Sequence, residues 1–421
     1  MAWSGVTVVA LLACQQSTVI PPPSGSQAEP TPHYLALPTP TSASFCSGDG
    51  ARHWASSPPT TAKMASSTAG WAYGPMRTTD GGSHWSAAAP PSIPNRTPID
   101  NEYFLDSTHA WVAETVRSAA ACVSTVVPFR TADGGRTWQQ APPIPVRLAD
   151  PGDYIWASPS DQDGNWFSFI DPDNGWLLVA TGPAEPARSG GSPGFGRSWR
   201  AGDLYRTHDG GLTWVHVSTN PGSHPGCDLA TGISFSSSST GWIVSDCGLL
   251  TTRDGGVTWT IKAVPVTPIA APSFSDPIHG VLLGVQGLLT TSDGGITWIK
   301  RPSPTAAVVD VVDFVSADDG WAVSFLGNDP MQAEFGLYQT TDGAQSWTQA
   351  NTGSLPHVPP LDYWRTKGLD AGAWGLDFVD ATHGFWTLCG GPPGPCMGAG
   401  LYRTDDAGHS WTRVQERIDQ A

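Results

Sequence analysis

Polar and apolar positions in this chain repeat on a long period. Seven times an apolar residue stands six positions before a small one, and an aromatic or apolar residue follows directly. The sets are Met64/Gly70/Trp71, Phe104/Ala110/Trp111, Phe169/Gly175/Trp176, Phe235/Gly241/Trp242, Phe274/Gly280/Val281, Phe314/Gly320/Trp321 and Phe378/Gly384/Phe385. Two residues after each anchor comes Asp or Ser: Ser66, Asp106, Asp171, Ser237, Asp276, Ser316 and Asp380. Such side chains bond backbone amides two residues on and shape a turn.

A second unit follows each of these. Five copies read Thr-x-Asp-Gly-Gly-x-x-Trp, at 78–85, 131–138, 207–214, 252–259 and 291–298. Two are altered: 340–347 carries Ala344 in a glycine place, and 404–411 has Ala407 after its Asp. The Asp accepts N–H bonds within its own hairpin, the glycines supply positive φ, and the Trp anchors the next strand. Each repeat therefore predicts four antiparallel strands: A ending near the anchor, B from the Gly-Trp pair, C before the Asp turn, and D from its Trp. Strands of this kind at Asp-to-Asp spacings of 39–76 residues predict an all-β, seven-bladed β-propeller of four-stranded blades. The box and Gly-Trp tryptophans, 12 of the 20, are expected in the blade core.

These motifs resemble the Asp-box (BNR) repeats of sialidases, sortilin-type receptors and some glycanases. The combined pattern is most similar to the photosystem II assembly and stability factor family and its bacterial relatives, over roughly residues 60–421. That resemblance implies a non-catalytic lumenal or periplasmic factor that holds a membrane-protein subunit during assembly. The photosynthetic branch uses an arginine-rich patch, whereas the arginines here are scattered.

Composition fits this reading. Gly (48) and Pro (39) are abundant in 421 residues and only 14% are charged, which argues against long helices or an acidic disordered chain. A net charge of −16 makes nucleic acid an improbable partner and disfavours a broad footprint on anionic lipid. Residues 6–13 form an apolar run too short to span a bilayer, ending in Leu11-Leu12-Ala13-Cys14, which resembles a lipobox, although no Lys or Arg precedes it. The expected organisation is a signal peptide with lipidated Cys14 (1–14), a Pro/Ser/Thr tether (15–44) and the propeller (45–421), to which 43–57 could add a strand. The other six cysteines suit an oxidising compartment. Cys389 and Cys396 share a loop, Cys227 and Cys247 flank two strands that should pair, and Cys46 with Cys122 follows by elimination.

The A–B and C–D turns of a blade lie at one end, and both are constant in length here. The separation from the Gly (or Ala110) to the box Asp nevertheless runs 10, 23, 34, 13, 13, 22 and 22, so every insertion falls in B–C loops or D-to-A links at the other end. Binding is assigned to that face, with candidates Arg147, Tyr154, Trp156, Trp166, Arg197, Trp199, Arg200, Tyr363, Trp364, Arg365 and Trp374. The seven box residues Asp80, Asp133, Asp209, Asp254, Asp293, Asp342 and Asp406 are expected to be structural, not catalytic. Asp161-x-Asp163-x-Asn165 opens like a calcium loop, but Trp166 and Pro172 occupy its glycine and closing-Glu places, so no metal and no cofactor are expected. A sialidase-type hydrolase is the enzymatic alternative. Its Arg-Ile-Pro segment is missing, and Glu102, Glu114, Glu185 and Glu334 are the acids that could pair with a Tyr. A sortilin-like receptor or adhesin is a further alternative. The expected protein is a monomer outside the cytoplasm that binds a protein, such as a membrane-protein complex, or a glycan.

Overall fold

The computed structural model describes residues 62–72, 74–91, 101–117, 123–147, 167–185, 198–219, 229–245, 248–305, 309–325, 335–351, 375–388, 400–414 and 417–418. Within them the chain forms seven consecutive antiparallel blades, spanning 62–87, 101–147, 167–219, 229–262, 273–300, 309–351 and 375–413. The architecture is the expected seven-bladed propeller. The signal-peptide and tether segments lie outside the described residues, as do residues 43–57.

Both predicted turns form in every blade. The amide after each anchor bonds the carbonyl four residues on, as in Leu105 to His109 (3.1 Å) and Val379 to His383 (3.0 Å). In each Asp turn the carboxylate accepts the amide of the residue four positions on at 2.8–2.9 Å. The buried box Thr donates to that carboxylate and accepts the amide four residues after itself, as Thr252 does with Asp254 and Gly256. A buried hydroxyl and an Asp thus satisfy the turn's own amides, which is why this sequence holds this conformation.

Adjacent blades meet through one repeated contact. The strand-B indoles Trp71, Trp111, Trp176, Trp242 and Trp321 are buried, and each stacks on the anchor Phe of the following blade. Ring centroids are 3.5 Å apart for Trp111–Phe169, 3.7 Å for Trp176–Phe235, 4.4 Å for Trp242–Phe274 and 3.6 Å for Trp321–Phe378. The Phe lies flat over the glycine of its own strand B, where a Cβ on Gly175 would come within 2.3 Å of the Phe169 ring. Blade 2 carries Ala110 there, and Trp71–Phe104 opens to 5.3 Å. Three of these indoles reach the next blade's Asp turn, Trp111 to Gly210 O at 2.7 Å, Trp176 to Gly255 O at 2.9 Å and Trp321 to Ala407 O at 3.0 Å, while Trp71 bonds Asp106 O in the A–B turn.

Blade 5 departs from this rule and its neighbour compensates. Val281 stands where the indole would be, and Ala344 replaces the second box glycine of blade 6; both are buried in one cluster. Where the Trp is present, that glycine has no room for a methyl: a Cβ on Gly295 would lie 2.4 Å from Trp242. The methyl of Ala344 occupies part of the space the smaller Val281 leaves, although it holds Ala344 at φ 62°.

The ring closes by packing Met64 of blade 1 against Phe385 and Leu401 of blade 7. Residues Arg417–Ile418 add a parallel strand outside His84–Ala87, with Ile418 opposite Trp85. This corrects the expectation for the box tryptophans. Trp85 is fully buried, whereas Trp138, Trp214, Trp259, Trp298, Trp347 and Trp411 are half-buried, because strand D is the outer edge of a blade.

Two stability outcomes follow. Val281→Trp alone overpacks against Ala344 and should cost about 1–3 kcal/mol in urea unfolding, and adding Ala344→Gly should recover most of that loss. Ala407, at φ 60° in the other altered box, should gain on replacement by glycine, with the unfolding midpoint rising by the equivalent of about 1 kcal/mol.

Candidate functional site

The two ends of the ring differ as the insertions imply. At one end the A–B turn and Asp turn of each blade bond to each other, from Gly81 N to Thr68 O (2.7 Å) round to Ala407 N to Thr382 O (2.8 Å), seven times in all. The strand ends flanking every long insertion lie at the opposite end. There blades 2 and 3 rise above the others. Strands Ala110–Arg117 and Val123–Thr131 form the tall hairpin of blade 2, and Gly175–Glu185 and Ser198–Thr207 that of blade 3; the corresponding strands of blades 4 and 5 have five residues each.

Three candidates fall on these projections. Arg147 ends strand Ile144–Arg147, which continues strand D of blade 2 and pairs with Val123–Val126. Trp199 and Arg200 lie where strand C of blade 3 outruns its own strand D and pairs with Ala230 and Leu229 of blade 4, joining two blades into one sheet. Tyr154, Trp156, Trp166, Arg197, Tyr363, Trp364, Arg365 and Trp374 lie outside the described residues, as do Cys14, the six cysteines proposed to pair, and the 161–165 segment. The seven box Asp residues sit at the opposite end, each held in its own turn. Among the described residues no cluster of His, Cys, Asp or Glu has the makings of a metal site, and no helix is long and apolar enough to cross a membrane.

The residues immediately before the anchors form a polar set that motif reading passed over: Lys63, Tyr103, Ser168, Ser234, Ser273, Asp313 and Asp377. Strand alternation turns them away from the preceding blade and toward the next. Ser168 Oγ accepts from Phe235 N at 2.9 Å, Asp313 Oδ2 from Phe378 N at 2.6 Å, and Asp377 from Met64 N; the Tyr103 hydroxyl donates to Phe169 O at 3.1 Å. The unpaired inner edge of one strand A is thus satisfied by the blade before it. The signal was present in the sequence, a polar or hydroxyl-bearing residue at the one fixed place before the anchor in all seven blades.

Charge concentrates where the ring closes. Lys63 of blade 1 pairs with Asp377 of blade 7 and faces Asp313 of blade 6. Asp377 is buried, but the Lys63 side chain is 57% accessible although protein surrounds it, as befits a group lining the axial channel. The Asp377 carboxylate holds the ammonium well above the usual lysine range, against the effect of burial. Burial pushes the Asp313 carboxyl up to about 6, with Lys63 pulling it down and Asp377 pushing it further up. Glu102, one residue from this ring, accepts from Gly74 N at 2.9 Å, while its Oε2 is buried without a partner among the described residues. Burial lifts its carboxyl to about 8. The neighbouring Tyr103 points to the other face of the strand, so these two do not form a Tyr–Glu catalytic pair.

These shifts fix a pH dependence. A carboxyl raised on folding contributes stability below its ordinary range and loses it as pH climbs through the raised value. The window runs from about 4 to about 6 for Asp313 and from 4.5 to about 8 for Glu102. Lys63→Met should destabilise by about 1–3 kcal/mol at pH 7.5 and by less at pH 5, with Asp313→Asn restoring the difference. Glu102→Gln should raise the melting temperature at pH 9, by the equivalent of about 1 kcal/mol or more, and leave it unchanged at pH 4. Thermal melts across pH check both.

No family model matches the chain, and no curated protein matches it. Solved structures do. A GH74 xyloglucanase from Xanthomonas campestris matches with a TM-score of 0.53 at 15% identity, over 85% of this chain and 54% of that one. A GH74 enzyme from Niastella koreensis matches with 0.54 at 13%, over 84% and 53%. The chain thus spans about half the length of these enzymes. A structure of YCF48 bound to a D1 peptide matches with a TM-score of 0.44 at 16%, over 76% of this chain and 83% of that one. At such identities the likeness to the two GH74 enzymes shows the β-propeller fold alone.

Proposed function

We propose that this chain is a non-catalytic binding or assembly-factor propeller, held outside the cytoplasm by lipid on Cys14. It engages a protein, or a glycan, through its B–C and D–A face. One observation carries this reading. Seven near-identical turn pairs close one end of the ring, while the strand ends flanking every long insertion, and the tall hairpins of blades 2 and 3, lie at the other. Rigid scaffolds present binding loops in this one-sided way. The partner is of the kind expected from the assembly-factor resemblance of the repeats, a membrane-protein subunit.

A glycan-cleaving reading draws on Glu102, a carboxyl that stays protonated near neutral pH as a general acid must. The two readings separate cleanly. Immobilised 45–421 should retain a defined complex from detergent-solubilised membranes. Replacing 182–200 by a short turn should abolish that retention, and a change in an Asp turn should not. Hydrolysis of xyloglucan or another polysaccharide, lost in Glu102→Gln while the fold persists, would instead establish the enzyme.

A further inference from the structure

The Asp-turn end is uniform in backbone but not in chemistry. Between consecutive blades runs a groove walled by the strand-C residue just before the box Thr of one blade and by the box turn of the next. Two positions of this groove depart between blades 1 and 2 from what the other blades carry. The residue after the second box glycine place is Ser83, Leu212, Val257, Ile296, Gln345 or His409 in six blades but Arg136 in blade 2. The residue before the box Trp is Thr or Ser in six blades but His84 in blade 1. These departures meet in a cavity of about 310 Å³ lined by Arg77, His84, Ser86, Gly134 and Arg136, with Asp80 at its wall.

Arg77 shows what is missing from that cavity. Its Nη1 donates to Gly134 O at 3.1 Å, as Arg130 in the next groove donates to Asp209 O at 2.6 Å. Arg130 also places its Nε on Gln139 Oε1 at 3.1 Å. In blade 1 the matching position is Ser86, whose hydroxyl turns to Arg77 O instead (3.4 Å). The Nε of Arg77 is left buried with no partner among the described residues. Arg206 in the third groove shares that orphan Nε, but there the box tip is Val257 and no second cation faces it. Arg136 is exposed, and among the described residues neither Arg77 nor Arg136 makes an ion pair with a carboxylate. Asp80 is occupied by Thr78 and by the amide and Nδ1 of His84. Asp133, which also acts on Arg77, is held by Thr131 and Thr137. Burial and the neighbouring Arg136 both draw the Arg77 guanidinium below its ordinary range, and Asp133 offsets them only in part.

We propose that the groove between blades 1 and 2 binds a small oxyanion, a carboxylate or phosphate group on a soluble molecule, between the guanidinium groups of Arg77 and Arg136. Planar guanidinium forks match both anions. In a chain of net charge −16, two unpaired arginines at one cavity are a local exception. The site lies at the end away from the insertion-bearing face, so it stands or falls independently of the function proposed above.

The repeat supplies its own controls. Arg136→Ser installs the residue blade 1 carries at that tip, and His84→Thr restores the box of blades 2–5, so both variants should fold. Titration calorimetry of the full chain with inorganic phosphate, and separately with acetate and benzoate, at low and at 0.5 M salt should show saturable one-site binding that salt weakens. Arg136→Ser should weaken it at least tenfold, and melting temperatures without ligand should stay within a few degrees of the parent. Tighter phosphate than carboxylate binding assigns the ligand as a phosphate compound, and the reverse order assigns a carboxylate. No saturable binding of any of the three up to 10 mM, or binding that Arg136→Ser leaves unchanged, overturns the proposal.

Discussion

One stacked contact organises this protein: an indole on strand B of one blade lying flat on the anchor Phe of the next. A β-blade has two faces and cannot bury both alone. At five of the seven blade interfaces the Trp–Phe pair joins those faces. The glycine beneath the Phe is part of the same contact, since only a missing side chain lets the ring lie that close to its own sheet. Aromatic pairs of this kind contribute about 0.5–1.5 kcal/mol beyond their buried area, and five of them make a modest term the recurring contact between blades. Where the pair is weakened, as at Ala110 or Val281, the neighbouring residues shift or are substituted to match.

The Asp turn gains its constancy from the same contact. It is a self-sufficient local structure, with its amides satisfied by its own Thr and Asp. Its carbonyls are then free to accept the indole N–H of the preceding blade and, in two blades, the guanidinium of a strand-C arginine. Residues on its inner side are therefore fixed by two blades at once. The tip side chain bonds at most the carbonyl of its own turn's Asp, as Ser83, Gln345 and His409 do, and it varies from Arg136 through Leu212 and Val257 to His409. An end that looks uniform by its backbone can carry local chemistry through that one position.

The axis poses the opposite problem. Innermost strands present unpaired amides and carbonyls to a narrow channel, and each blade satisfies the next with the polar residue before its anchor. At the closing seam this device becomes ionic, with Lys63 held between Asp377 and Asp313. There the first blade meets the last, and a charged contact joins residues from opposite ends of the chain.

The number of blades, the strand order and the structural duty of the seven Asp residues were legible in the chain, because each rests on bonds made within about eight consecutive residues. So was the one-sidedness of the insertions, since lengths between fixed turns are a property of the sequence. Tertiary structure decided what depends on residues far apart. It separated the fully covered Trp85 from the half-open tryptophans of the other boxes, because only blade 1 receives the C-terminal strand. It turned the residue before each anchor toward the neighbouring blade, drew Lys63 beside Asp377 across more than three hundred residues, and set Arg77 against Arg136. Local hydrogen bonding writes a turn into the sequence, but which side chains share a groove is fixed only when one blade packs on the next.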